Sequence, residues 1–146
     1  MRLLLLLSLL LAPLVFAPPS SAQDMVAQAD FDGVRAALDL YLQGHATGNG
    51  DFMREAFHED AKLFWIVDGE VRQRTATEFA AAFRGEPAPD EAERERRIVS
   101  IEVTGNAAIG VIELDYPTVK FVDYMSLLRV GDRWLIVNKS FQRIPK

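Results

Sequence analysis

The chain has 146 residues, 49% hydrophobic and 25% charged, and its 21 acidic against 16 basic side chains leave a net charge of −5. That balance argues against a nucleic-acid binder, which carries a basic face, and against docking on an anionic membrane surface. With no cysteine and two histidines, the chain offers no disulfide, no lipidated thiol and no usual zinc cage.

The first residues read as a secretory signal peptide. Met1-Arg2 precedes an apolar run from Leu3 to Phe16, followed by Ala17-Pro18-Pro19-Ser20-Ser21-Ala22. A basic start, a short apolar stretch and small residues before a cleavage point are the elements of such a signal. The run is interrupted by Pro13 and is short against the ~20 residues of a spanning helix. Cleavage is expected after Ala22. Residues 23–146 are then expected as one domain, periplasmic or secreted, with no membrane attachment after cleavage.

Residues 23–29 are expected as an irregular lead-in, followed by a helix from about Asp30 to Ala46. Phe31, Val34, Leu38, Tyr41 and Leu42 form its apolar stripe. Gly48-Asn49-Gly50 ends it, and Asp51 is placed to cap a second short helix through Phe57. His58 then ends that helix, where a cation is favoured. His45, near the end of the first helix, is expected at the surface. A strand over Ala61–Val67, an Asp68-Gly69 turn and a strand over Val71–Arg74 follow. Thr75-Ala76-Thr77-Glu78 is a capping box that opens a third helix through about Phe83. Residues 85–97 hold two prolines and a mixed-charge run. They are expected as a solvated connection, the other reading being a flap over a cavity mouth. Strands over Ile98–Thr104, Ala107–Asp115, Val119–Val130 and Trp134–Ile144 finish the chain, joined by Gly105-Asn106 and Gly131-Asp132 turns. Helices segregated against an antiparallel meander make an α+β fold.

The strand over Val119–Val130 carries the most telling residue. Val119, Phe121, Asp123, Met125 and Leu127 share one face, because strand side chains alternate. Four of the five are apolar, so Asp123 lies on a buried face. A buried carboxylate must be neutralised, paired or hydrogen-bonded. This pattern predicts a lined pocket. A plain two-residue turn at Gly131-Asp132 puts Ser140 opposite Asp123, and a one-residue bulge brings Lys139 or Phe141 onto that face instead.

Several of these features together resemble the nuclear-transport-factor-2-like superfamily. They are the first helix with Tyr41, Gly50-Asp51-Phe52, Phe57-His58-Glu59-Asp60-Ala61, Leu63-Phe64, Phe79, Ile98-Val99-Ser100-Ile101-Glu102-Val103, Asp123-Tyr124-Met125-Ser126-Leu127 and Trp134 to Phe141. The set looks most like the lumazine-binding branch, with a more distant likeness to ketosteroid isomerases and polyketide cyclases. The resemblance covers nearly all of residues 23–146. It implies a curved antiparallel sheet wrapped by three helices, a conical central pocket, a pteridine-like ligand and pairing of sheets into dimers. Tyr41 and Asp123 match by chain order the tyrosine and protonated aspartate of the isomerase oxyanion hole. The isomerase's general-base position falls at Trp65, which has no proton-accepting group.

The expected function is therefore binding of a small apolar or heteroaromatic molecule without a cofactor or metal. Tyr41, Trp65, Asp123, Lys139 and Phe141 are the candidate ligand contacts; ordinary core packing is the alternative for Tyr41 and Trp65, and a structural carboxylate tied to Tyr41 or a backbone amide is the alternative for Asp123. Trp65 would act as a stacking plate, and Lys139 would pair with Asp123. Two other readings stand beside it. One is an isomerase, cyclase or dehydratase that polarises its substrate with Asp123 and Tyr41 and uses His58 or Asp60 as base. The other is a homodimeric interaction module without ligand, paired through an outer sheet face that includes Val122, Tyr124 and Leu128.

Overall fold

A computed structural model describes residues 21–146; the predicted signal segment, apart from its last two residues, lies outside the described residues. Three helices and six strands follow in chain order: α1 (Ala22–Thr47), α2 (Gly50–Ala56), β1 (Phe57–Val67), β2 (Glu70–Thr75), α3 (Ala76–Ala81), β3 (Glu95–Thr104), β4 (Ala107–Tyr116), β5 (Val119–Val130) and β6 (Arg133–Pro145). They build one curved, unclosed sheet in the order β2-β1-β6-β5-β4-β3, with the helices on its inner face. This is the expected α+β fold with three helices against a curved sheet.

The helix α1 begins about eight residues before the predicted start. Ser21 and Asp24 form a reciprocal capping box, and Gln28 donates to Asp32 one turn later at 2.9 Å. The first turns expose Met25 and Val26, so no apolar stripe announces them. From Val34 onward the stripe packs on the sheet, with Val34, Leu38 and Tyr41 fully buried. The close approach is set by Gly110 on β4, where a Cβ would stand 2.6 Å from Leu38 Cδ1.

Other boundaries also differ. Asn49, not Asp51, caps α2: its side chain accepts from the Asp51 amide at 2.9 Å, while Asp51 pairs with Arg54 inside the first turn. Helix α2 stops at Ala56, so His58 lies on β1 and caps no helix. Helix α3 ends at Ala81, two residues short of Phe83, and the Thr75/Glu78 box opens it as predicted. The Asp68-Gly69 turn has positive φ at both residues, as a tight hairpin requires.

Two long-range features position the site. Strands β1 and β6 pair in parallel, with Leu63 opposite Lys139, and this joins the β1–β2 hairpin to the four-stranded meander. All other pairings are antiparallel. Between Ser126/Asn138 and Leu127/Ile136, β6 carries one extra residue, Val137. The bulge places Phe141 opposite Asp123 and leaves Lys139 on the same inner face, opposite Met125. Ser140 points outward.

The connection after α3 is more ordered than a solvated linker. A 3-10 turn spans Glu91–Glu93, and β3 begins at Glu95. Arg96 bonds both carboxylate oxygens of Glu91, at 2.5 and 2.7 Å, and lies against Tyr116 with its side chain only 8% exposed. Arg94 stacks over the same ring at 4.2 Å. Asp90–Arg94 and Glu91–Arg96 form specific pairs here, while Glu93 and Glu95 remain exposed to solvent.

Candidate functional site

Three polar side chains meet inside the sheet. The Tyr41 hydroxyl donates to Asp123 Oδ2 at 2.6 Å and accepts from Lys139 Nζ at 2.6 Å. Lys139 Nζ also lies 2.9 Å from Asp123 Oδ2. Tyr41 and Asp123 are wholly inaccessible, and Lys139 is 4% exposed. The ammonium stands near the Phe141, Tyr41 and Phe79 rings, 4.7, 4.9 and 5.3 Å from their centroids. A buried charge pair of this kind is tolerated because each ion satisfies the other and the phenol bridges both. Asp123 Oδ1 remains buried without a partner.

Burial governs the protonation of this group. It pushes the Tyr41 phenol well above its ordinary 10.0, and the neighbouring Asp123 charge pushes the same way. It pulls Lys139 below its ordinary 10.5; Asp123 opposes that pull, and the positive charge of Arg74 adds to it.

Beside the triad lies a cavity of about 160 Å3, close to the ~150 Å3 that accommodates one benzene ring in an engineered apolar site. Leu63, Phe79, Leu114, Phe121 and Phe141 supply its apolar walls, and Tyr116, His45, Arg74 and Lys139 its polar groups. Of the triad, Lys139 alone reaches the lining; Tyr41 and Asp123 stand behind it. Trp65 does not line the cavity either. It stacks on Phe141 with ring centres 5.6 Å apart, because it lies two residues beyond Leu63 on the same strand face. It backs the wall instead of forming it.

Of the polar lining residues, His45, Arg74 and Tyr116 were not among the expected ligand contacts. His45 is not at the surface. It falls four residues after Tyr41 on the α1 stripe, its ring edge-on to Tyr41 at 4.7 Å and to Phe83 at 5.2 Å. Its Nδ1 is 3.4 Å from the Tyr116 hydroxyl, and its Nε2 is buried without a partner. Burial first, then the charges of Lys139, Arg96 and Arg94, lower its pKa well below the ordinary 6.5, so the ring is neutral. The i, i+4 spacing from Tyr41 was the signal that points to it. Arg74, the penultimate residue of β2, has no such local signal; it reaches the site only because β2 pairs with β1. Its guanidinium lies 5.3 Å from the Trp65 ring and 5.4 Å from the Phe79 ring.

The two candidate bases lie elsewhere. His58 Nδ1 accepts from the Asp60 amide at 3.2 Å and faces an open surface depression with Arg54, Glu55 and Arg133. The Asp60 side chain is 90% exposed. Neither reaches the cavity, because β1 starts four residues earlier than predicted and its first residues alternate outward. The Tyr41 hydroxyl and Asp123 Oδ2 are bonded to each other and to Lys139, and neither residue lines the cavity, so they do not present an open oxyanion hole.

Comparison with known proteins agrees with this architecture. An aldolase, FrzH, from Cladobotryum is 20% identical over 121 residues, covering 83% of this chain and 97% of its own. The structure of an NTF2-like protein of unknown function from Shewanella baltica superimposes with a TM-score of 0.71 at 24% identity, covering 87% of this chain and all of that one. One from Methylobacillus flagellatus, also NTF2-like and of unknown function, gives 0.65 at 26% identity over 86% and 96% of the two chains. Residues 29–142, most of the chain, match the family described as "Putative lumazine-binding", and the protein belongs to that family within the NTF2-like superfamily.

Proposed function

We propose that the protein binds a small apolar or heteroaromatic molecule in the cavity between Phe79, Phe121 and Phe141, with its polar end toward Lys139. The observation that carries this reading is a cavity whose walls are aromatic and aliphatic and into whose lining two buried polar atoms without partners fall, His45 Nε2 and Arg74 Nε, while Lys139 and Tyr116 are hydrogen-bonded. Ligand sites have this composition, an apolar lining with a few placed polar groups. A family described as lumazine-binding supports a ring-bearing ligand. An open cavity also supports ligand binding over an interaction module with a filled cone. Phe141 and Lys139 would touch the ligand, Trp65 would hold Phe141 in place, and Tyr41 and Asp123 would hold Lys139.

A second reading, catalysis, has one observation in its favour. Lys139 is a buried amine that lines the cavity, and the Cladobotryum relative is an aldolase. His58 and Asp60 have no part in it. The protein would act after export and removal of residues 1–22, as a homodimer through the outer sheet face, where Tyr124 and Ile109 are each 52% exposed.

The test is a titration followed by intrinsic fluorescence and thermal stability. Lumazine and single-ring carboxylates should raise the melting temperature saturably. Leu114→Trp, which fills the cavity from β4, should abolish the effect. Undiminished binding by that variant would place the ligand elsewhere.

A further inference from the structure

We propose that Lys139 is the amine that forms an imine with a small 2-oxo acid, whose carboxylate is held by Arg74. The inference rests on the cavity reading above and names its ligand class.

The geometry begins in one row of the sheet. Arg74 on β2 is opposite Leu63 on β1, and Leu63 is opposite Lys139 on β6. Cross-strand partners share a face, so the two cationic side chains flank Leu63 and both line the cavity. Their charges are not balanced alike. Lys139 has Asp123 at 2.9 Å. Arg74 has no ion-pair partner among the described residues, its Nε is buried and unbonded, and the Trp65 and Phe79 rings flank its guanidinium. His45, held neutral on the same lining, adds no charge. The cavity thus holds one cation with no contacting counter-ion, Glu78 acting on it only at longer range, and of the shape that takes a carboxylate through two parallel N–H donors.

The other end has what an imine needs. A lysine becomes a nucleophile when it loses its proton, and desolvation next to another cation favours that loss. Asp123 lies within reach to take the proton, and the Tyr41 hydroxyl bonds Nζ at 2.6 Å. The step balances without an oxidant or reductant. The Lys139 ammonium transfers a proton to the Asp123 carboxylate. Neutral Nζ attacks the carbonyl carbon, forming a C–N bond while the C=O electron pair moves to oxygen. Two proton transfers to that oxygen, one from Nζ and one from Asp123, release it as water and leave a C=N bond. Hydrolysis reverses the sequence. A 2-oxo acid sets its carbonyl next to its carboxylate, so binding at Arg74 aims the reacting carbon along the row toward Nζ, with Phe121 and Phe141 around its apolar tail.

The experiment is reductive trapping. The purified protein is incubated with 4-methyl-2-oxopentanoate and cyanoborohydride, and peptides bearing Lys62, Lys120, Lys139 and Lys146, the four lysines of the chain, are mapped by mass spectrometry. The expected result is a saturable adduct on Lys139, competed by the carbonyl-free 4-methylpentanoate and absent in Lys139→Arg. Arg74→Gln should lower trapping of the oxo acid about tenfold, as loss of a charge-assisted bond implies, and leave trapping of 3-methylbutanal, the same chain without the carboxylate, little changed. Adducts absent from Lys139, or spread evenly over the lysines, would overturn the imine. An equal effect of Arg74→Gln on both probes would overturn the carboxylate's place. If 4-methylpentanoate or lumazine raises the melting temperature while Lys139 stays unmodified, the imine fails and the cavity reading stands; if neither raises it and Lys139 stays unmodified, both fail.

Discussion

Tyr41 on α1 and Asp123 on β5, 82 positions apart in the chain, share a 2.6 Å hydrogen bond in a site that water does not reach. The bond ties the first helix to the middle of the sheet, and Lys139 closes it into a triangle. Its members differ in what their loss leaves behind, and the difference can be measured.

Asp123→Ala should destabilise the fold by ~3–5 kcal/mol, because it strands the Lys139 charge in an apolar interior. Tyr41→Phe removes one hydroxyl but leaves the Lys139–Asp123 pair, so its cost should be ~1–3 kcal/mol. Urea unfolding of the two variants checks the order. A Tyr41→Phe loss as large as that of Asp123→Ala would mean that the phenol, and not the ion pair, holds the triangle.

Stability should fall as the pH drops through about 6.5. His45 is neutral in the fold and its pKa lies well below the ordinary 6.5 that it regains on unfolding. The unfolded chain therefore binds more protons just below that pH, and stability declines there with a slope of at most ~1.4 kcal/mol per pH unit for one group. The carboxylates with lowered pKa, Glu78, Asp90 and Glu113, start from ordinary values of 4.5, 3.8 and 4.5, so they act at lower pH. His45→Phe should flatten the profile between pH 5 and 6.5 in urea melts at stepped pH, a window set by these ordinary values. An unchanged slope would show that another group titrates there.

The outer face should pair two copies of the chain. Tyr124, Ile109 and Leu128 are exposed on the neighbouring strands β4 and β5, with half-buried Val111 opposite Tyr124 and half-buried Val122 two residues before it on the same face. Apolar patches of several hundred Å2, on the order of 400, mark interaction surfaces. Light scattering at micromolar concentration should give twice the monomer mass, and Tyr124→Glu should return the single mass without loss of fold. A wild-type monomer over the whole concentration range refutes the pairing.

Export predicts a mature chain that begins at Gln23. N-terminal sequencing of the protein from its own cells checks this, and a membrane-bound product that still starts at Met1 would contradict it. Cleavage there removes Ser21, whose side chain and that of Asp24 form the α1 capping box. The mature helix should therefore fray over its first exposed turn, with faster amide exchange before Phe31 than after Val34.

Local chemistry made much of this protein legible in advance. The Thr75/Glu78 capping box, the paired turns and the alternation along β5 are written in residues close together in the chain, and they yield the element order, the α+β class and the inward position of Asp123. The Tyr41 stripe even implies His45 through helical spacing, although its place near the helix end argued for the surface. What the tertiary structure decided depends on pairing between distant segments. One extra residue at Val137 turns Lys139 inward and Ser140 outward, and a one-residue bulge between Ile136 and Asn138 has no glycine or proline to mark it in the sequence. The parallel pairing of β1 with β6 brings Arg74, Leu63 and Lys139 into one row, though 76 positions separate Leu63 from Lys139. Strand side chains repeat every two residues, so a shift of one residue exchanges the faces; the elements are set locally, and the site by the register between them.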